Sequence, residues 1–324
     1  MLTRFWNGAR ARRTTLTLAG VAALALVATG CASSDGGQPD APGGEALFSQ
    51  ELHDLLPEAI QDAGVLSFGG LWETPPILSV DEADPTKPAG IAPELAAKLG
   101  EVLGVDVEWQ NLAWPAQLPG LQSGSVDVLF GQVSVTEERE QSVVDLVPFQ
   151  KRSYGLLVAD GNPKKISRLA DLCDLTIAVP IGSNQSKRIA AINESDCVGA
   201  GKPAITMNEY QGASAAIQAL RGGTVDAWID TYPNIADVVS TQDDAFDGFA
   251  LPTDEVPTEY SGIAVSKDNP GLTEALAGAM RLLVENGAYA AAYDGVELGT
   301  DDFTIDEIVI NPLTGTPAGE MAQG

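Results

Sequence analysis

Apolar positions along the chain recur at two spacings in alternation. A short apolar run, Val65–Phe68, ends at Gly69-Gly70 and predicts a strand. From Pro93 onward Leu95, Leu99, Val102 and Leu103 fall at i, i+4, i+7 and i+8, the stripe of a helix with one buried face, and Gly104 stops it. Val105, Val107 and Trp109 then alternate with polar residues as a strand, and Leu118 and Leu121 mark a short helix before a buried strand at Val126–Phe130. Thr136 is placed as an N-cap, with Glu137 and Glu138 where acidic side chains meet the positive end of a helix dipole. A second block repeats this order: a strand at Leu175–Pro180, a turn at Gly182-Ser183 capping a helix, a helix at Ala213–Leu220 and a strand at Val225–Ile229. Beyond Leu251 come a strand at Gly262–Val265 and a helix carrying Leu272, Leu276, Met280 and Leu283 on one stripe. The Gly- and Pro-containing tail from Thr314 is expected to fray. Strands alternating with helices predict an α/β protein.

The first thirty residues follow a different pattern. Arg4, Arg10, Arg12 and Arg13 precede an uncharged run from Leu16 to Thr29, too short for the roughly 20 residues a membrane-spanning helix needs and proportioned as a secretory signal core. It closes in Ala28-Thr29-Gly30-Cys31, which resembles a bacterial lipoprotein cleavage site and implies lipid on Cys31; the alternative is an ordinary secretory signal with a chance cysteine. Residues 31–46, rich in Ser, Gly, Pro, Asp and Gln, are expected to be a flexible tether. The implied location is the extracytoplasmic face of the cell membrane, held by lipid.

Composition narrows the chemistry. The 324 residues hold 45 Asp and Glu against 18 Lys and Arg, a formal charge of −27 that becomes −31 once the four leader arginines are removed. Such a surface repels phosphate backbones and disfavours nucleic acid. A single histidine, His53 in a predicted N-terminal helix, leaves little room for histidine catalysis or a multi-histidine metal site, and no cofactor is called for. Cys173 and Cys197 remain as an even pair, which in an oxidising exterior reads as a disulfide. The acidity is explained more simply by solubility than by a cationic substrate.

One stretch is more specific. Leu118-Pro119-Gly120-Leu121, Ser123-Gly124-Ser125-Val126-Asp127, Ser134-Val135-Thr136-Glu137-Glu138-Arg139, Asp145 and Pro148-Phe149 stand in an order that resembles the extracytoplasmic solute-binding proteins of polar amino-acid ABC transporters, over about Leu55 to Asn311. The resemblance implies a two-lobed periplasmic-binding-protein-like fold, each lobe a mixed sheet flanked by helices, joined by a two-strand hinge. One lobe would take residues 47–153 and 256–311, the other 154–255, with 312–324 as a tail, and a small-molecule ligand would bind between them. Arg139 matches the arginine that clamps the ligand carboxylate, Ser134 and Thr136 its hydrogen-bonding neighbours, and Ser183 the donor from the second lobe. Trp114 matches an aromatic wall, a core tryptophan being the alternative.

The chain also departs from that pattern. Thr74 stands before Pro75-Pro76 where an aromatic is usual, with Trp72 two residues earlier. The ammonium-binding aspartate is expected five residues after Asp226, at Thr231, whereas the acid is Asp230, and one step along a strand reverses the side-chain direction. Either a bulge returns Asp230 to the cleft, or the amine is read differently, with Glu73 or Glu94 supplying the charge. The expected function is that of a monomeric, membrane-tethered binding component serving an ABC permease, without chemistry. The alternative is a dehydratase-type enzyme on the same fold acting on a small carboxylic acid, its acid–base work falling to Glu73, Glu94 or Asp230.

Overall fold

The computed structural model describes residues 47–142, 144–242, 245–252, 254–256, 258–296 and 303–320. The leader, the tether and Cys31 lie outside the described residues. Two five-stranded mixed sheets organise the rest. The first runs, edge to edge, Asp106–Asn111, Val65–Gly70, Val128–Leu129, Glu259–Ser266, Val144–Arg152. The second runs Thr206–Tyr210, Thr176–Pro180, Ala227–Thr231, Tyr154–Ala159, Phe246–Ala250. In each, the first three strands are parallel and the last two join antiparallel. A three-stranded sheet of Glu73–Thr74, Leu78–Val80 and Pro88–Ala89 stands beside the first.

The two sheets reuse one device. Asp127 accepts from the Ser67 N–H at 2.9 Å, and Asp226 accepts from the Thr176 N–H at 2.9 Å, so each aspartate leading an inner strand ties down a backbone N–H of its neighbour. The Val-Asp pairs singled out in the sequence are therefore structural at their aspartates. Helix Ile91–Leu103 buries Leu95, Leu99, Val102 and Leu103 in the same core as Leu272, Leu276, Met280 and Leu283 of helix Pro270–Glu285. Each such side chain contributes about 1.5–3 kcal/mol by leaving water. Gly104 ends the first of these helices at φ +67°, a left-handed conformation that costs glycine little. Cys173 and Cys197 form a disulfide, tying the approach to strand Thr176–Pro180 to the helical turn Asn193–Val198.

The tail differs from expectation. Rather than fraying, it is strapped across the first sheet by buried acceptors. Glu140, wholly buried, accepts from the Leu313 and Thr314 N–H groups at 3.1 and 2.8 Å. Asp145, equally buried, accepts from Lys267 Nζ at 2.9 Å, Asn311 Nδ2 at 2.8 Å and the Gly319 N–H at 2.8 Å. The Glu320 carbonyl takes a further bond from Lys267 Nζ at 2.7 Å. Composition marked this segment as loose, but partners more than 100 residues away in sequence order it.

Truncating Asp145 strands the buried Lys267 charge and frees the strap. Asp145→Ala is therefore expected to lose about 3–5 kcal/mol of unfolding free energy, read by urea denaturation; a loss under about 1 kcal/mol contradicts the role given to this carboxylate.

Candidate functional site

The chain passes between the two sheets at Arg152–Ser153–Tyr154 and again between Phe246–Ala250 and Glu259–Ser266. At the crossing Arg152 pairs in register with Glu259. Arg152 Nη2 donates to the Tyr154 hydroxyl at 2.6 Å, and that hydroxyl donates to Glu259 Oε2 at 2.7 Å. Arg188 forms an ion pair with Glu259, and the guanidinium carbons of Arg152 and Arg188 lie 4.8 and 5.5 Å from the Tyr154 ring centroid. This charged knot fixes the hinge.

Beside it two cavities meet at Trp114. The first, about 40 Å³, is lined by residues from both sheets' surroundings, including Thr74, Gln132, Ser183, Gln185, Trp228 and Asp230. The second, about 250 Å³, is walled mainly by apolar side chains and lined by Arg139 and Gly182. Trp114 opens helix Trp114–Gln122, and its indole lines both.

Ser183 caps helix Asn184–Ile192, its hydroxyl accepting from the Ser186 N–H at 3.1 Å, while Gly182 before it takes φ +65°. The helix thus presents its N-terminus to the cleft, with Ser183 lining the first cavity and Gly182 the second. Thr136 caps the one-turn helix Glu137–Glu140, accepting from the Arg139 N–H at 3.4 Å. That turn aims Arg139 back over its own approach: Nη1 donates to the Ser134 carbonyl at 2.8 Å, and Cζ lies 5.4 Å from the Trp114 ring centroid. Burial, and then the charge of Arg152, lowers the Arg139 pKa to about 10.

Strand Ala227–Thr231 pairs with Tyr154–Ala159 without a bulge. Trp228 and Asp230 line the first cavity together, as the two-residue period of a strand requires, and Thr231 does not line it. Asp230 accepts from the Thr231 N–H at 2.7 Å and from Gln185 Nε2 at 3.3 Å, on Oδ1, and from Asn234 Nδ2 at 3.4 Å on Oδ2. Burial pushes its pKa up to about 6, against the lowering influence of the Thr231 N–H and the Arg152 charge. Among the described residues neither Asp230 nor Arg139 enters an ion pair.

Of the residues named from the sequence, Arg139, Trp114, Ser183 and Asp230 line these cavities. Ser134 and Thr136 line neither cavity and contact Arg139, by carbonyl and cap respectively. Trp72 belongs to the core of the first sheet and Thr231 is buried; among the described residues neither the Trp72 Nε1 nor the Thr231 hydroxyl has a partner. Glu73 reaches across to helix Ala213–Arg221, accepting from the Ser214 N–H at 3.1 Å, and Glu94 is exposed on helix Ile91–Leu103. Sequence reasoning missed Gln132, Gln185 and Trp228, although strand period alone places Trp228 with Asp230. It also missed Arg152, Tyr154 and Glu259: the Tyr154–Glu259 bond spans 105 residues and leaves no local signal. Among the described residues no group of three or more His, Cys, Asp or Glu stands close enough to hold a metal ion, and no helix is long and apolar enough to cross a membrane.

With this geometry in hand, residues 66–295 match the family described as bacterial extracellular solute-binding proteins, family 3. The chain is similar to the L-cystine-binding protein TcyJ of Escherichia coli (strain K12), 24% identical over 232 residues, covering 72% of this chain and 82% of the relative. It is likewise 24% identical to the arginine-binding protein ArgT of Corynebacterium glutamicum over 315 residues, 93% of this chain and 96% of the relative. Among solved structures, an ancestral arginine-binding protein bound to glutamine superposes with a TM-score of 0.63 at 27% identity, covering 71% of this chain and 96% of that one.

The raised pKa of Asp230 has a stability consequence with a definite sign. Between about pH 4 and pH 6 the folded state holds a proton that the unfolded chain has released, so stability falls as pH rises through that window. Asp230→Asn should therefore stabilise the ligand-free protein by up to about 3 kcal/mol at pH 7.5 and by almost nothing at pH 3.5. Asn234, whose buried Oδ1 has no partner, can turn to accept from the new amide. Denaturation curves of both proteins at the two pH values check this; a variant less stable at pH 7.5 contradicts it.

Proposed function

Because the chain belongs to the bacterial extracellular solute-binding proteins of family 3, we propose that it binds a free amino acid in the cleft and presents it to an ABC permease. The observation that carries this reading is a pair of opposite, desolvated groups, Arg139 and Asp230, each without an ion-pair partner among the described residues and each lining one of two cavities that share Trp114. A zwitterion satisfies both. Its carboxylate accepts from the Arg139 fork and the Ser183 helix N-terminus, and its ammonium donates to Asp230. Its side chain packs on Trp114.

Arg139 lies between strands Val128–Leu129 and Val144–Arg152 of the first sheet, and Asp230 is the penultimate residue of strand Ala227–Thr231 of the second. A ligand held by both therefore draws the lobes, proposed as 47–153 with 256–311 against 154–255, together about the Arg152–Tyr154 hinge. Names of relatives that bind cystine, arginine and glutamate support an amino-acid ligand. Lipid attached at Cys31, after removal of residues 1–30, would hold a monomer at the extracytoplasmic face of the membrane.

A dehydratase reading retains one candidate group. With Glu73 on the Ser214 N–H and Glu94 exposed, only Asp230, near 6, is poised for proton transfer. Turnover of a small carboxylic acid that Asp230→Asn abolishes would favour it over pure binding.

A thermal-shift panel of amino acids identifies the tightest ligand, since a compound that binds only the folded state raises the melting temperature. With that ligand, Arg139→Ala should weaken binding by about 2–5 kcal/mol in titration calorimetry, as for truncating one member of a buried charge pair. An unchanged dissociation constant overturns the role of Arg139.

A further inference from the structure

Resting on that reading, we infer that the ligand is an amino acid whose side chain carries no charge, amide or aromatic in kind, and that cationic and anionic side chains are rejected. Few charges face the ligand space. Among the described residues lining the first cavity Asp230 is the only charged one, and Arg139 is the only charged one lining the second. A zwitterionic backbone engages both. A third charge on the ligand would then be buried without a counter-charge, which costs far more than any contact it gains.

The ionic groups nearest the cleft are already committed. Glu73 accepts from the Ser214 N–H at the start of helix Ala213–Arg221, and a Cβ placed on Gly212, which lines the first cavity, would lie 2.6 Å from its Oε2. The helix dipole offsets that carboxylate, so a ligand guanidinium would have to pull it off a favourable seat. Glu138 pairs with Lys187, and Glu259 with Arg188. For an anionic side chain the candidate is Arg152. It lines neither cavity, and its guanidinium donates to the Tyr154 hydroxyl and, at 3.3 Å, to the Gln132 carbonyl.

Apart from Asp230, the polar and aromatic residues that line the first cavity are neutral and adaptable. Gln132, Gln185 and Gln211 supply amides, and Trp114, Trp228 and Tyr210 supply aromatic faces. The buried Gln132 Nε2 has no partner among the described residues, a donor that a ligand carbonyl can take. The strongly acidic composition is thus uncoupled from the side chain of the substrate: among the described residues lining the first cavity the one acid is Asp230, which meets the ammonium.

Calorimetry on the purified protein at pH 7.5, with glutamine, phenylalanine, arginine, lysine and glutamate as probes, tests this. Glutamine or phenylalanine should bind at least about 100-fold tighter than arginine, lysine or glutamate. If arginine, lysine or glutamate binds tightest, the inference falls while the amino-acid reading stands; if none of the five binds, both fall. Gln132→Glu adds the missing carboxylate while keeping the acceptor that Ser261 Oγ uses at 3.3 Å, and should raise arginine affinity at least about 10-fold. Gln211→Glu, on the exposed rim of the same cavity, makes the same test should the first variant fail to fold. No gain from either folded variant means that charge does not set selectivity and overturns the inference.

Discussion

A carboxylate taken out of water without a cation of its own is the constraint on which the site turns. Asp230 sits at the end of a central strand, hydrogen-bonded on both oxygens, and still has its pKa pushed up to about 6 by burial. Hydrogen bonds soften the cost of burying a charge but do not remove it. In a fold selected only for stability this position would hold an amide. Its retention makes physical sense where a ligand supplies the missing charge, and the same holds for Arg139, desolvated and bonded to a single backbone carbonyl by its side chain.

The surrounding structure holds these two groups on elements beside separate sheets, at two cavities that share Trp114. Arg139 is aimed by a one-turn helix that Thr136 caps, and Asp230 by a strand whose pairing continues unbroken to its end. Between the bodies stands the hinge knot, in which Tyr154 takes a hydrogen bond from Arg152 and gives one to Glu259 under two stacked guanidinium groups. Glu73 on Ser214 and Glu138 on Lys187 add contacts farther from the hinge. Such exposed or half-exposed contacts are individually weak, roughly 0–1 kcal/mol for the ion pair, so under the proposed closure they would bias it without locking it.

What was legible in the sequence follows a physical division between local and long-range determinants. The stripe of Leu95, Leu99, Val102 and Leu103, the caps Thr136 and Ser183, and the glycine stop at Gly104 are written in neighbouring residues, and the structure contains each of them. The pairing of Cys173 with Cys197 needed only parity and compartment. The tail was misjudged because Asn311 and Gly319 are ordered by Asp145, more than 160 residues away. The offset between Asp230 and Thr231 resolves without a bulge: Asp230 shares a cavity wall with Trp228, two positions earlier, and that pairing is itself visible in the sequence. Glu73 was legible as an acid near the cleft but not as the acceptor for a helix on the opposite body, since no local pattern encodes that contact.

The account rests on Asp230 waiting for a cation. Carbon-detected NMR titration of its side-chain carboxyl, without ligand and with saturating amino acid, examines this directly. Without ligand the group should titrate near 6, and with the ligand ammonium against it the midpoint should fall below its ordinary value of 3.8. A midpoint that stays near 6 when ligand is bound would mean that Asp230 does not receive the ammonium, and the charge-pair account of the cleft would be wrong.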